Sequence, residues 1–436
     1  MTEETEAADT AEATEPNGSM ARYAAILRSP GFSAVLGASV VGRLHESMIS
    51  FGVIMLVTPR GSYAEAGVVM AAYGAGGIVA GPVASRLADR HGHVRVLLVT
   101  AVAFAGAVLV MAFSGGGLRT LAVLGVVAGL CTPPLTPAVR SVLPRLVAPD
   151  RRLTAFALES TLQEVIFVAG PVLAGAVALG GGPRAALVVA AAATLLGTGG
   201  YCLALRGAGL AGAIGGRVDD GRRAAEQGAT RGLAGVGVRP ADRLLTPAVV
   251  RTLVGGGGFL ALLSMAAVAL IAQVSGETAR GSAGLYLGLT SAGSMVGGLV
   301  FGARVRPDSP LRSRYVVLGS SLVVLAGVSA LGDRVPGAGA ALALAAFGYG
   351  ATISPVGAVL FGRLSEAAGE ARATEAFGWM GAAMGVGGVV GDAAGGWSVT
   401  VAPPWAVLLA AAAVAGLTAL AVPRRPSPGA PMLRLG

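Results

Sequence analysis

The sequence predicts an all-α polytopic membrane protein, with twelve transmembrane helices arranged as two pseudo-symmetric six-helix bundles. Three observations carry that prediction. The 436 residues are 54% hydrophobic and only 13% charged, with a mean hydropathy of +0.72, more apolar surface than a soluble fold of this length can hide. The apolar residues fall into blocks of roughly 20, the length of a helix that crosses a bilayer. Arginines cluster in alternate gaps between those blocks, as they do when one side of a membrane retains positive charge.

Spans are expected near 33–57, 64–87, 95–114, 119–143, 153–180, 185–205, 247–273, 281–303, 314–332, 338–362, 372–398 and 403–422. Residues 1–32, acidic at the start and without the charge pattern of a cleavable signal, read as a disordered cytosolic tail. Residues 33–205 form the N-terminal bundle. Residues 206–246, rich in Gly and Arg without apolar periodicity, form a cytosolic central linker. Residues 247–422 form the C-terminal bundle, and 423–436 a cytosolic C-terminal tail. With the N-terminus in the cytosol, about 25 of the 32 basic residues fall inside. The outer loops then hold Arg60, Arg119, Arg184, Arg280 and Arg334, one each. Both termini are therefore expected to be cytosolic.

The two halves repeat. A shift of 217 residues carries Ser47-Met48 onto Ser264-Met265, Gly67 onto Gly284, Gly76 onto Gly293 and Gly81 onto Gly298. A shift of 221 carries Gly129 onto Gly350, Pro134 onto Pro355, Ala155-Phe156 onto Ala376-Phe377 and Gly170 onto Gly391. A register that drifts by so little across five helices points to a parallel repeat about an axis along the membrane normal. The binding site of such a repeat lies between the halves near the midplane.

The stretch from Ser85 to Arg95 is a compact basic turn with one acid, Asp89, between the second and third spans. Gly92 permits the tight bend, and Arg90 and Arg95 hold it on the charged side. The turn resembles the loop between helices 2 and 3 of the major facilitator superfamily, Gly-x-x-x-Asp-Arg-x-Gly-Arg-Arg. Asp89, Arg90 and Gly92 match; Ser85 stands for the first Gly, and His93-Val94 replace the basic pair. In that family the loop acid helps to lock the cytosolic gate. The resemblance implies the same for Asp89, and Arg140 and Arg145 end the fourth span on the same side, within its reach. Gly378, Gly387, Gly391, Gly395 and Gly396 resemble the glycine ladder that the family's antiporters carry on helix 5, here moved to helix 11 with Asp392 in the place of a Pro. Helix 5 keeps Gly170, Pro171 and Gly175. Small residues at these spacings either pack neighbouring backbones closely or form a hinge. The absence of lysine and the single asparagine, Asn17, are marks of a GC-rich coding sequence, so the actinobacterial type of the family is expected.

Ionisable groups inside a span are costly to bury and so are candidates for function. Arg43, His45 and Glu46 lie in the first span, in a Gly-Arg-Leu-His-Glu-Ser-Met run that resembles the family's Gly-Arg-Leu-Pro-x-x-Met. Glu159, Gln163 and Glu164 lie in the fifth. Arg43 and Glu159 are at similar depth and are expected to pair between spans 1 and 5, whether to fix packing or to gate. Glu164, without an obvious cation, is a candidate proton carrier, as are Glu46, Asp392 and His45.

No phosphate-cradling loop, metal-spaced His/Cys cluster or nucleophile–base set is present, so the chain is expected not to be an enzyme and to need no cofactor or metal. Cys131 and Cys202 read as buried free thiols. The expected function is secondary active transport by alternating access, driven by an ion gradient, in a bacterial cytoplasmic membrane. Proton-coupled export of a small, partly apolar molecule such as a drug or natural product is the first reading. Symport uptake of a metabolite, or a non-transporting sensor or scaffold, are the alternatives. The expected partners are the small-molecule substrate, protons and the lipid bilayer, with no nucleic acid and a monomeric state.

Overall fold

The computed structural model describes residues 19–59, 62–210, 244–273, 280–304, 309–331 and 337–422. A short helix, α1 (Ser19–Leu27), precedes the first span. That span is two helices, α2 (Phe32–Arg43) and α3 (His45–Val57). Next come α4 (Tyr63–His91) and α5 (His93–Phe113), joined at Gly92, whose φ of 90° suits a residue without Cβ. The fourth span is α6 (Leu118–Leu130) with α7 (Leu135–Leu146). α8 (Arg152–Gly207) runs through the fifth and sixth, which are separated at the non-helical Gly182.

The second half repeats the plan with α9 (Pro247–Gln273), α10 (Arg280–Arg304), α11 (Leu311–Leu331), the pair α12 (Ala338–Gly350) and α13 (Ile353–Ala368), α14 (Ala373–Val401) and α15 (Pro404–Ala421). Length and hydropathy alone pick ten spans, with Pro149–Gly207 taken as one and α14 passed over. The break at Gly182 divides the first of these. α14 packs along both α9 and α4 and completes the twelve.

Two of the interrupted spans, the first and the fourth, break for a local reason. At the α6–α7 junction Pro133 and Pro134 have no N–H to donate. At Leu44 the backbone tightens, with Leu44 N bonded to Val41 O and Ser47 N to Leu44 O. The Gly42 carbonyl accepts instead from His45 Nδ1 at 2.6 Å. His45 thus makes with its side chain the break that Pro makes in the sequences this run resembles.

Two expectations change. Part of the tail placed at 1–32 is folded: Tyr23 and Ile26 of α1 are buried, and Tyr23 Oη donates to Leu299 O of α10 at 2.7 Å. An apolar face in an otherwise polar segment found a groove to fill. Cys202 is buried, but Cys131, at the α6–α7 break, is only half-buried. Residues 1–18, 211–243 of the expected linker and 423–436 lie outside the described residues.

The glycines on α14 set its distance from α9. A Cβ on Gly387 would stand 2.0 Å from Gly257 O, and one on Gly391 would stand 2.3 Å from Ala261 O. Gly378 approaches Ser85 and Gly81 of α4 instead, in the other half. Gly396 faces open space. Gly387→Ala is therefore expected to lower stability by about 1–3 kcal/mol through overpacking, while Gly396→Ala is neutral or slightly stabilising. Thermal unfolding of both variants in detergent checks the contrast.

Candidate functional site

The charged residues of spans 1, 4 and 5 meet in one buried network inside the N-terminal half. Arg43, fully buried, places Nη1 3.0 Å from Glu159 Oε1 and Nε 3.7 Å from Glu46 Oε1. Arg43 Nη2 also donates to Gln163 Oε1. Arg140 Nε donates to Glu159 Oε2 at 3.0 Å. Gln163 Nε2 donates to Glu46 Oε2 at 3.0 Å, and Thr136 Oγ1 to Glu46 Oε1 at 2.6 Å. Two guanidinium groups face two carboxylates, so the charge closes within the half. A buried group of this kind is viable only when fully partnered.

Under the repeat, the C-terminal half has apolar residues in these places. Leu260 and Leu263 stand for Arg43 and Glu46, Phe361 for Arg140, and Met380 and Met384 for Glu159 and Gln163. The site is therefore lopsided towards the N-terminal half.

The carboxylates proposed to carry protons separate in space. Glu164 turns away from the network towards the other half, where Ser294 Oγ of α10 donates to its Oε1 at 3.0 Å. Ser294 in turn shares a 2.8 Å hydrogen bond with Ser354 of α13. No ion-pair cation reaches Glu164 among the described residues. Asp392 is exposed, and its spacing of seven residues from Gly385 and fourteen from Gly378 puts it on the strip of α14 that faces α4. His45 points instead into the N-terminal bundle, 1% exposed, with its ring 4.7 Å from Phe104. It does not join the network, because its Nδ1–H is committed to Gly42 O.

The halves close against each other from mid-membrane to the arginine-rich side. Asp89 Oδ2 accepts the Glu375 N–H at 2.7 Å, in the first turn of α14, where helix N–H groups lack internal partners. His93 Nε2 is 2.6 Å from Thr374 Oγ1 and 3.7 Å from Asp89 Oδ1. Thr374 Oγ1 donates to Ser141 Oγ at 2.9 Å. On the other flank Thr154 Oγ1 donates to Gly302 O at 2.8 Å.

Arg140 and Arg145 do not meet Asp89, contrary to expectation. Arg140 is drawn inward by Glu159, and Arg145 reaches Glu370, with Nη2 2.9 Å from its carbonyl oxygen. Arg90 and Arg95 are exposed. Of the helix 5 residues, Gly170 lets Ser47 approach, Gly175 makes ordinary contact with Phe51, and Pro171 is half-buried. Gly395 packs on Met265 and Val268.

Residue-by-residue reading missed the centre of this seam. The Arg140 guanidinium lies 3.7 Å over the ring of Phe361, and the rings of Phe156 and Phe377 are 6.2 Å apart. Each is a pair of repeat partners, the contact expected where a pseudo-two-fold axis passes through a seam. The 221-residue shift held the signal that could have found them.

The network predicts non-additive stability. Arg43→Ala and Glu159→Ala are each expected to cost about 3–5 kcal/mol, the loss typical when one partner of a buried pair is removed. The double substitution should cost less than the sum by at least ~1 kcal/mol. Unfolding of the four proteins in one detergent measures that coupling.

Comparison with known proteins agrees with this architecture. The profile of the Major Facilitator Superfamily matches residues 35–391. An MFS-type transporter of Sinorhizobium fredii, y4rN, described as uncharacterized, is 30% identical over 179 residues, covering 39% of this chain and 44% of that protein. The probable multidrug resistance protein EmrY of Escherichia coli is 35% identical over 107 residues, covering 24% of this chain and 21% of that protein. The chain thus aligns to less than half the length of these curated relatives. Among solved structures, a bacterial homologue of the iron transporter ferroportin in its outward-facing state superposes with a TM-score of 0.61 at 18% identity, over 89% of this chain and 98% of that one. The proton:xylose symporter XylE superposes at 0.63 and 16% identity, over 91% and 95%. Proteins with such different cargoes share the fold alone with this chain. The matched profile, over most of the chain, together with the twelve spans and the paired halves, makes this chain a member of the Major Facilitator Superfamily.

Proposed function

We propose that the chain exports a small, partly apolar molecule in exchange for entering protons, by alternating access of its two halves. The observation that carries the reading is Glu164. It is a half-buried carboxylate near mid-membrane with no ion-pair cation among the described residues, and it is hydrogen-bonded across the seam to Ser294. A group so placed changes its bonding when the halves part, so its proton occupancy and the state of the seam are linked. Asp392, exposed on the strip facing α4, is the second carboxylate on the route, and Glu46 borders the same interior with its side chain 27% exposed. The resemblance to EmrY over part of the chain supports export, and the few uncommitted hydrogen-bonding groups in the spans favour a partly apolar cargo.

In this reading the arginine-rich side faces the cytosol of a bacterial inner membrane, both termini lie there, and the protein acts as a monomer. Asp89, His93 and Arg140 with Phe361 form the gate on that side. The bundles at 33–205 and 247–422 rock as units, with 206–246 as their cytosolic connection.

The test is a growth-inhibition panel in an efflux-deficient host, paired with pH recordings in vesicles. The intact protein should raise tolerance to some toxic compounds, and those compounds should release protons from the vesicle interior through exchange. Glu164→Gln should abolish the proton movement and lower tolerance by tenfold or more, on the order of the loss of one coupling step. Substrate-driven proton entry in the same direction as the compound would establish symport instead. No proton movement with any compound, from protein confirmed in the membrane, would contradict the reading.

A further inference from the structure

A cavity opens in the C-terminal half at its arginine-rich edge. It has a volume of about 850 Å³ and is walled by α10 and by the start of α11, with Ala351 and Pro355 as its floor. α10 and α11 lean on α12 and α13 rather than on each other, which leaves the groove between them. Its mouth holds two cations, Arg304 at the last turn of α10 and Arg314 at the first turn of α11. Neither has a carboxylate partner among the described residues. Arg314 lies over the Phe301 ring at 4.6 Å, touches Ser309 Oγ only at 3.5 Å, and leaves Nε buried without an acceptor. Most of the five donors on that guanidinium are unused.

The groove continues inward from these cations along Phe301, Val300, Gly297 and Val296. Val296 and Val300 are 46% and 47% exposed, on a helix face that a bilayer would cover. The eight residues from Arg304 to Val296 carry the groove about 12 Å into the apolar layer. Charge at the membrane boundary with an apolar channel beneath it is complementary to one kind of ligand, an amphiphile with an anionic head. We propose that this groove binds an anionic phospholipid, its phosphate held by Arg304 and Arg314 and an acyl chain laid along Val300 and Val296. Arg304, Arg314, Val300 and Val296 are not among the residues assigned to proton coupling, so the proposal stands or falls independently of the export reading.

The experiment uses the full chain, purified and delipidated in detergent. It is titrated with phosphatidylglycerol, with phosphatidylcholine as the neutral control, and bound lipid is counted by native mass spectrometry. The protein should retain phosphatidylglycerol selectively. Arg304→Gln/Arg314→Gln should weaken that binding on the order of tenfold, given the usual contribution of each basic residue near a membrane surface, and leave phosphatidylcholine unchanged. Arg314→Lys, which keeps the charge and loses the fork, should recover part of it. Val300→Trp keeps both cations and fills the groove, so it should also weaken lipid binding even if the double variant fails to fold. Glycerol 3-phosphate, a head without chains, should not displace the lipid. Equal phosphatidylglycerol retention by the intact protein and the variants, or displacement by glycerol 3-phosphate at equal concentration, would overturn the proposal.

Discussion

Charge in this protein must be neutralised where no water reaches, and the N-terminal half does so internally. Arg43 and Arg140 spend their charge on Glu159 and Glu46, while Gln163 bonds both Arg43 and Glu46, and Thr136 donates to Glu46. The ion pairs fasten spans 1, 4 and 5 into one unit. The seam between the halves is left with weak, separable contacts: hydroxyls, small residues, tilted rings and the carboxylate Glu164. A strong pair across that seam would cost several kcal/mol to part. Keeping the strongest pairs within one half lets the halves hold their shape while the joint between them stays reversible.

Nearer the arginine-rich side the halves are joined by partly exposed ion pairs, Arg86 Nε to Glu375 Oε1 at 3.9 Å and Arg145 Nη2 to Glu370 Oε2 at 3.8 Å, which water screens, and by a directed backbone bond. Asp89 uses an orphan backbone N–H of α14, and a partner of that kind is satisfied by water as soon as the joint opens. Arg140 is shared, bound to Glu159 in its own half and stacked on Phe361 in the other. Separation would remove the ring and keep the ion pair. The network would then gain water without losing its internal partners. Arg140 is the one member of the network that touches both halves, which makes it the link between the buried charge and the joint.

Much of this was legible in the sequence. Block length gave the spans, and small residues at repeat-related positions gave the two halves. Similar depth brought Arg43 and Glu159 to one level on neighbouring helices. Helical spacing turned Glu164 away from Gln163. The rest has separate causes. Asp89 was matched to the nearest opposite charges in the chain, whereas a buried helix start offers a better-directed donor without any charge. Sequence alone does not show that His45 Nδ1–H serves a broken backbone. The tail's α1 escaped notice because nine residues carry too little periodicity to mark a helix that only tertiary packing stabilises. Phe361 was invisible as a partner of Arg140 while each residue was weighed alone, although the repeat relates the two directly.

The central claim is that the closed joint on the arginine-rich side is one of two states. Spin labels at Arg90→Cys and Glu366→Cys, both on exposed positions of opposite halves, would report it by pulsed electron resonance in a background with Cys131 and Cys202 replaced by Ala. The account predicts two distance populations, with the longer one gaining when Asp89→Asn weakens the bond to the Glu375 N–H. A single short distance, unmoved by pH or by Asp89→Asn, would contradict it.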